Sequence, residues 1–256
     1  MKKIIVIPAR LSSTRLPNKV LLDLKGKTIL QRVYEQCLKV NGVIVFIATD
    51  SLKVKKSCLE YTQNVIMTSV EHKSGTDRII EAVNGLDFEA LINVQGDEPF
   101  ISPFLIEDLF RELETEKVKV VTACERLLTS KELFDANVVK VVKDSESNAL
   151  YFSRSCVPHI RDNSQLLIDE KKFFESAVFY KHVGIYGYKK DFITKYSILD
   201  NSNLEKLEML EQLRILESGF KIKVLETKFK SIGIDTQDDY KNALKMILSK
   251  NFIKHN

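Results

Sequence analysis

Short runs rich in valine and isoleucine recur through the first half of the chain, at Lys3 to Pro8, Val43 to Ala48, Asn64 to Met67, Ala90 to Val94 and Val118 to Thr122. Most are followed by apolar residues at helical spacing, which predicts helices over Thr28 to Val40, Ser51 to Glu60, Asp77 to Asn84 and Pro103 to Leu113, the last capped by Ser102. Such alternation builds βαβ units, because parallel strands need a long crossover that packs back on the sheet. The expected fold is α/β, a mostly parallel sheet with helices on both faces. After about residue 130 the rhythm changes to a smaller, β-rich insertion. There Val138 to Lys143, Ala149 to Ser153 and His182 to Tyr188 read as strands, and Pro158 to Lys181 as a charged loop or flap. Leu204 to Glu217 reads as one strong helix ended by Gly219, Lys221 to Glu226 as a late strand, and a last helix starts at Gln237.

Charge excludes some partners. The net charge of +4 arises from 39 basic and 35 acidic residues spread along the chain, with no basic block that would serve as a nucleic-acid arm. The apolar run Ile4 to Ile7 is cut short by Pro8, Ala9 and Arg10, and nothing approaches the ~20 apolar residues of a membrane span. Cys37, Cys58, Cys124 and Cys156 are widely separated, form no C-x-x-C pair and read as buried, reduced thiols. A soluble cytoplasmic protein is expected.

The first strand runs into Pro8-Ala9-Arg10-Leu11-Ser12-Ser13-Thr14-Arg15-Leu16-Pro17-Asn18-Lys19, a loop holding three cations and three hydroxyls. Ligands of open α/β sheets bind at the carboxyl ends of strands, so Arg10, Arg15 and Lys19 suit the phosphates of a nucleotide better than an ordinary surface loop. The nine glycines supply neither G-x-G-x-x-G nor a P-loop. There is no H-E-x-x-H, no G-x-S-x-G and no Cys/His metal pattern around His72, His159, His182 and His255. At the end of the fourth strand Gln95-Gly96-Asp97-Glu98-Pro99 offers a carboxylate suited to Mg²⁺, or alternatively an acidic turn. Asp235 closes another apolar run and serves equally as a metal ligand or as a cap of the last helix. Arg154, His182 and Tyr186 stand on otherwise apolar strands, where an arginine usually meets an anion or a buried carboxylate. Glu208 and Gln212 lie one helical turn apart, a spacing that also fits a solvated face.

Taken in order, these segments resemble the 3-deoxy-manno-octulosonate cytidylyltransferases over nearly the whole chain. The resemblance is carried by Pro8-Ala9-Arg10 with Ser13 to Pro17 and Lys19, Ala48-Thr49-Asp50, Ser74 to Arg78, Asn93 to Pro99, Ala149 to Arg154, His182 to Tyr188, Leu210 to Arg214 and Asp235-Thr236. It implies a nucleotide-diphospho-sugar transferase-like domain spanning 1–256. About 1–130 would bind nucleotide, about 131–230 would bind sugar and dimerise, and 231–256 would supply a metal ligand and the last helix. It implies transfer of CMP from CTP to the acidic sugar 3-deoxy-manno-octulosonate (Kdo), for lipopolysaccharide synthesis, by a cytoplasmic homodimer. Arg10, Arg15 and Lys19 would take the triphosphate, with Arg10 and Lys19 catalytic alongside Asp97 and Asp235. Pro8, Ala9, Thr49, Ser74 and Arg78 would bind the nucleoside, and Asp97 and Asp235 would hold Mg²⁺. Gln95, Arg154, His182, Tyr186, Glu208 and Gln212 would hold the sugar. Two departures stand out: Asn18-Lys19-Val20 replaces a glycine-lysine-proline, and the Pro158 to Lys181 stretch does not align.

Overall fold

The structure, a computed structural model, describes residues 1–11, 15–72, 74–162, 164–200, 202–230 and 232–248. The chain packs as two units, Met1–Arg111 with Ser231–Asn256, and Glu112–Lys230.

The first unit follows the predicted rhythm: β1 (Lys3–Pro8), α1 (Ile29–Cys37), β2 (Val43–Thr49), α2 (Leu52–Cys58), β3 (Val65–Met67), α3 (Gly75–Val83), β4 (Ala90–Asn93) and α4 (Pro103–Glu114). Its strands lie in the order β3-β2-β1-β4 with every pairing parallel, Lys3 opposite both Val43 and Ala90, and Ile47 opposite Val65. Ile4 to Ile7 are all buried, as expected for a strand covered on both faces. The helices start where side chains can take an orphan N–H: Thr28 accepts from Gln31, Ser51 from Val54 and Ser74 from Asp77. α4 begins at Pro103 as the spacing predicts.

The second unit holds β5 (Val120–Arg126), α5 (Ser130–Phe134), β6 (Lys140–Lys143), β7 (Ala149–Ser153), α6 (Ser164–Ile168), α7 (Glu170–Ser176), β8 (Tyr180–Lys189), α8 (Lys190–Tyr196), α9 (Asn203–Glu208), α10 (Gln212–Glu217) and β9 (Lys223–Glu226). Pairing here is mixed. β8 runs antiparallel to β5 with an irregularity between Thr122 and Ala123, β9 runs parallel to β5, and β6 is antiparallel to both β7 and β8. The last helix, α11 (Gln237–Leu248), belongs to the first unit. There Ile234 and Ala243 are buried in one cluster with Leu16, Leu24, Ile29 and Phe100.

Three expectations require correction. The segment from Leu204 to Glu217 is not one helix: it breaks at Met209, which adopts φ 54° and ψ 48°. At the break the Arg154 guanidinium donates to the carbonyls of Glu208 and Met209, the acceptors a continuous helix would use for Gln212 and Leu213. The stretch Pro158 to Lys181 is not simply a loop, since it forms α6 and α7. Leu166, Phe173, Phe174 and Phe179 bury themselves against Leu127 and Leu133, and Asp169 caps α7 through the Lys172 N–H. Of the four unpaired cysteines, Cys37, Cys58 and Cys124 are buried, but Cys156 is only partly covered.

Candidate active site

In the first unit the site is built at the carboxyl ends of β1 and β4. Gly96 lies so close to β1 that a Cβ there would stand 2.9 Å from the Pro8 carbonyl oxygen. A glycine is needed for that approach, and it sets Asp97 beside the loop that leaves β1. Asp235 arrives from the other end of the chain. The Ile234 N–H donates to the Asp97 carbonyl at 2.9 Å, while the Ile234 side chain is fully buried. Asp235 does not cap α11. Thr236 does so instead: its hydroxyl accepts from the Asp239 N–H at 3.2 Å, and Asp239 accepts the Thr236 N–H at 2.8 Å in return.

The Lys19 ammonium sits between the two acids, donating to Asp97 and, at 2.7 Å, to Asp235, whose other oxygen lies 3.2 Å from the Arg15 guanidinium. Burial pulls the Lys19 pKa down, but Asp97 and Asp235 together raise it above the ordinary value. The ammonium is therefore held charged. Asn18 has φ 55° and ψ 25°, the left-handed conformation that asparagine tolerates best after glycine. Asparagine thus carries the left-handed backbone that immediately precedes Lys19. Arg10 and Arg15 are exposed; Ser12, Ser13, Thr14 and Ser231 lie outside the described residues.

The remaining nucleotide candidates line the neighbouring strand ends. Pro8, half-buried, ends β1, and the buried Ala9 donates to the Ala48 carbonyl. Thr49 ends β2, is fully buried and accepts the Ser51 N–H. Ser74 caps α3, and Gln95 is half-buried just before Gly96. Arg78 is buried, donating to Asp50 at 2.5 Å and to the Thr68 hydroxyl. It thereby ties together the ends of β2 and β3. The partner Asp50 carries a signal the sequence does offer, as the last residue of Ala48-Thr49-Asp50.

In the second unit Arg154 and Glu208 form one device. The Glu208 carboxylate accepts the Ser153 hydroxyl at 2.6 Å and the Arg154 N–H at 2.9 Å, and the guanidinium reaches the carbonyls of Glu208 at 2.8 Å and Ala136 at 3.1 Å. Gln212, buried, opens α10, so the break at Met209 separates it from Glu208. The rings of His182 and Tyr186 lie 5.2 Å apart. Thr122 hydrogen-bonds His182 Nε2 at 2.9 Å and donates its single hydroxyl hydrogen to the Ile185 carbonyl at 2.7 Å. Nε2 is then the donor, and the neutral ring keeps Nδ1 as acceptor. Burial pulls the His182 pKa down to about 3, which keeps the ring neutral. The Tyr186 hydroxyl is buried on the same side of the sheet as Thr122, and burial pushes its pKa well above the usual value. Ser153 and Thr122 were not legible as site residues, because only the fold turns them toward Glu208 and His182.

A parallel sheet with a lysine, an arginine and two acids at its carboxyl edge has the groups to hold a nucleotide's phosphates and a divalent cation. The family model described as Cytidylyltransferase matches residues 4–225. The 3-deoxy-manno-octulosonate cytidylyltransferase of Trichlorobacter lovleyi is 42% identical over 95% of this chain and 97% of its own. A solved structure of CMP:2-keto-3-deoxy-manno-octonic acid synthetase complexed with CTP superposes with a TM-score of 0.88 at 38% identity, covering 97% of this chain and 99% of that one. The chain belongs to the cytidylyltransferase family, and within it to the 3-deoxy-manno-octulosonate cytidylyltransferases. A 4-diphosphocytidyl-2C-methyl-D-erythritol synthase from Anaerococcus prevotii, 15% identical over 97% of this chain and 99% of its own, shares the fold with a TM-score of 0.62.

Proposed function

We propose that this chain transfers CMP from CTP to the anomeric hydroxyl of Kdo, giving CMP-Kdo and pyrophosphate for lipopolysaccharide synthesis. The observation that carries the reading is the convergence of Asp97, Asp235 and Lys19 at the carboxyl ends of β1 and β4. The sugar oxygen forms a bond to the α-phosphorus, the bond to the pyrophosphate oxygen breaks, and the hydroxyl proton passes to solvent. Such a reaction calls for alignment and for neutralisation of charge rather than a covalent intermediate.

The two carboxylates meet at one ammonium, so their oxygens already converge, and hard oxygen donors of this kind suit Mg²⁺. Among the described residues no group of three or more His, Cys, Asp or Glu is assembled for a metal, so phosphate oxygens and water would complete the set held by Asp97 and Asp235. Bound there, Mg²⁺ would stabilise negative charge on the phosphate and favour ionisation of the attacking hydroxyl. Lys19 with Arg10 and Arg15 steadies the leaving pyrophosphate. Pro8, Ala9, Thr49, Ser74 and Arg78 shape the nucleoside end, with Arg78 fixed by Asp50. Arg154 takes the sugar carboxylate. Gln95, Glu208 and Gln212 take sugar hydroxyls, His182 accepts from one through Nδ1, and the Tyr186 hydroxyl donates to another.

The unpaired thiols support a reducing compartment, the cytoplasm, and the exposed apolar side chains Phe134, Leu167 and Ile168 support a homodimer formed through the second unit. The test is pyrophosphate release over a matrix of nucleotides and acidic sugars, including an 8-amino analogue of Kdo. Release with CTP and Kdo together, and not with either alone, is the expected result; release with another pair only would overturn the assignment.

A further inference from the structure

Lys140 lies on β6 opposite Ser153 and Lys181, and it is fully buried. Its three ammonium hydrogens go to main-chain carbonyls rather than to a carboxylate: Asp135 at 2.8 Å, Val138 at 2.6 Å and Arg154 at 2.6 Å. Burying an ammonium without an acid is costly, and burial lowers its pKa accordingly. An apolar side chain of similar volume would fill the same space without that penalty. What only a cation with three donors can do is hold three carbonyls at one point.

Those carbonyls surround Arg154. Asp135 and Val138 belong to the turn whose Ala136 carbonyl accepts from the Arg154 guanidinium at 3.1 Å, and the third carbonyl is Arg154's own. Glu208 holds the N–H of the same residue. We propose that Lys140 is a positioning residue for the acid sugar, its buried ammonium fixing both the main chain of Arg154 and the turn on which the Arg154 guanidinium rests. This rests on the reading that Arg154 binds the sugar carboxylate. Lys140 touches no substrate; it acts through Arg154.

The experiment compares Lys140→Met and Lys140→Gln with the wild-type chain by pyrophosphate release, varying CTP and Kdo separately. Wild-type release with Kdo tests the function itself, so failure of that reading is seen before any variant is made. The expected result is a KM for Kdo raised about tenfold or more, the scale of a lost charge-assisted contact, with the KM for CTP changed less than about twofold. In an Arg154→Ala background Lys140→Met should add nothing further to the Kdo KM. A lysine that merely supports the fold would raise both KM values or lower kcat alone, and would still act in the Arg154→Ala background. Either outcome, unchanged kinetics, or failure of both variants to fold would overturn the proposal.

Discussion

Ile234 donates its N–H to the carbonyl of Asp97, and this 2.9 Å bond brings Asp235 to the acid beside which Lys19 sits. Removing charge at either acid should therefore have one consequence. Asp97→Asn and Asp235→Asn should fold, since size and hydrogen bonding are largely kept, while transfer falls on the order of 100-fold or more. The double variant should be little worse than either single one. Near-normal turnover of Asp235→Asn at limiting Mg²⁺ would sink the shared site.

Gly96→Ala places a methyl group 2.9 Å from the Pro8 carbonyl oxygen, a backbone atom that cannot swing away. A loss of about 1 to 3 kcal/mol in urea unfolding is expected, with a raised KM for CTP as β1 and β4 are pushed apart. Wild-type stability would mean that the strand ends have room the structure does not record.

At Asn18 the backbone is left-handed. Asn18→Gly should leave stability unchanged or slightly raised, whereas Asn18→Val should lose about 1 to 2 kcal/mol and weaken CTP use by misplacing Lys19. Equal stability of the glycine and valine variants would refute the argument.

His182 titrates at about 3 when folded and at its ordinary 6.5 when unfolded, so the unfolded chain binds the extra proton between those values. Stability owed to the neutral ring is complete above pH 6.5 and is lost as pH falls toward 3, by at most about 1.4 kcal/mol per pH unit. Unfolding measured from pH 7 down to pH 4.5 should show a shallower decline for His182→Gln than for wild type. Parallel declines would count against the neutral ring.

Local signals carried much of this site. Lys19 could be read from a cation-rich loop at a strand end, and Asp97 from a glycine-acid step after an apolar run, because both depend on a few adjacent residues. Asp235 was ambiguous, and it was Thr236, one residue on, that took the capping role. The apolar spacing from Leu204 to Glu217 concealed the break at Met209. Periodicity records which side chains are apolar, not which carbonyls a distant guanidinium will capture. The charges of Pro158 to Lys181 likewise outweighed its phenylalanines on paper, although burial of Phe173 and Phe174 against Leu133 organises α7.

The sequence by itself determined the parallel half of the protein, since strand, crossover and helix cap are all patterned within a few tens of residues and need no distant partner. It also determined the chemistry available at each strand end, because residue type and the end of an apolar run are written locally. Only the tertiary structure decided that Asp97 and Asp235 meet at Lys19, that Glu208 holds the N–H and Lys140 the carbonyl of Arg154, and that Thr122 leaves His182 an acceptor at Nδ1. Each of these is a hydrogen bond or ion pair between residues far apart in the chain. Such pairings become favourable only once the apolar core has brought the strands together, so no local pattern announces them.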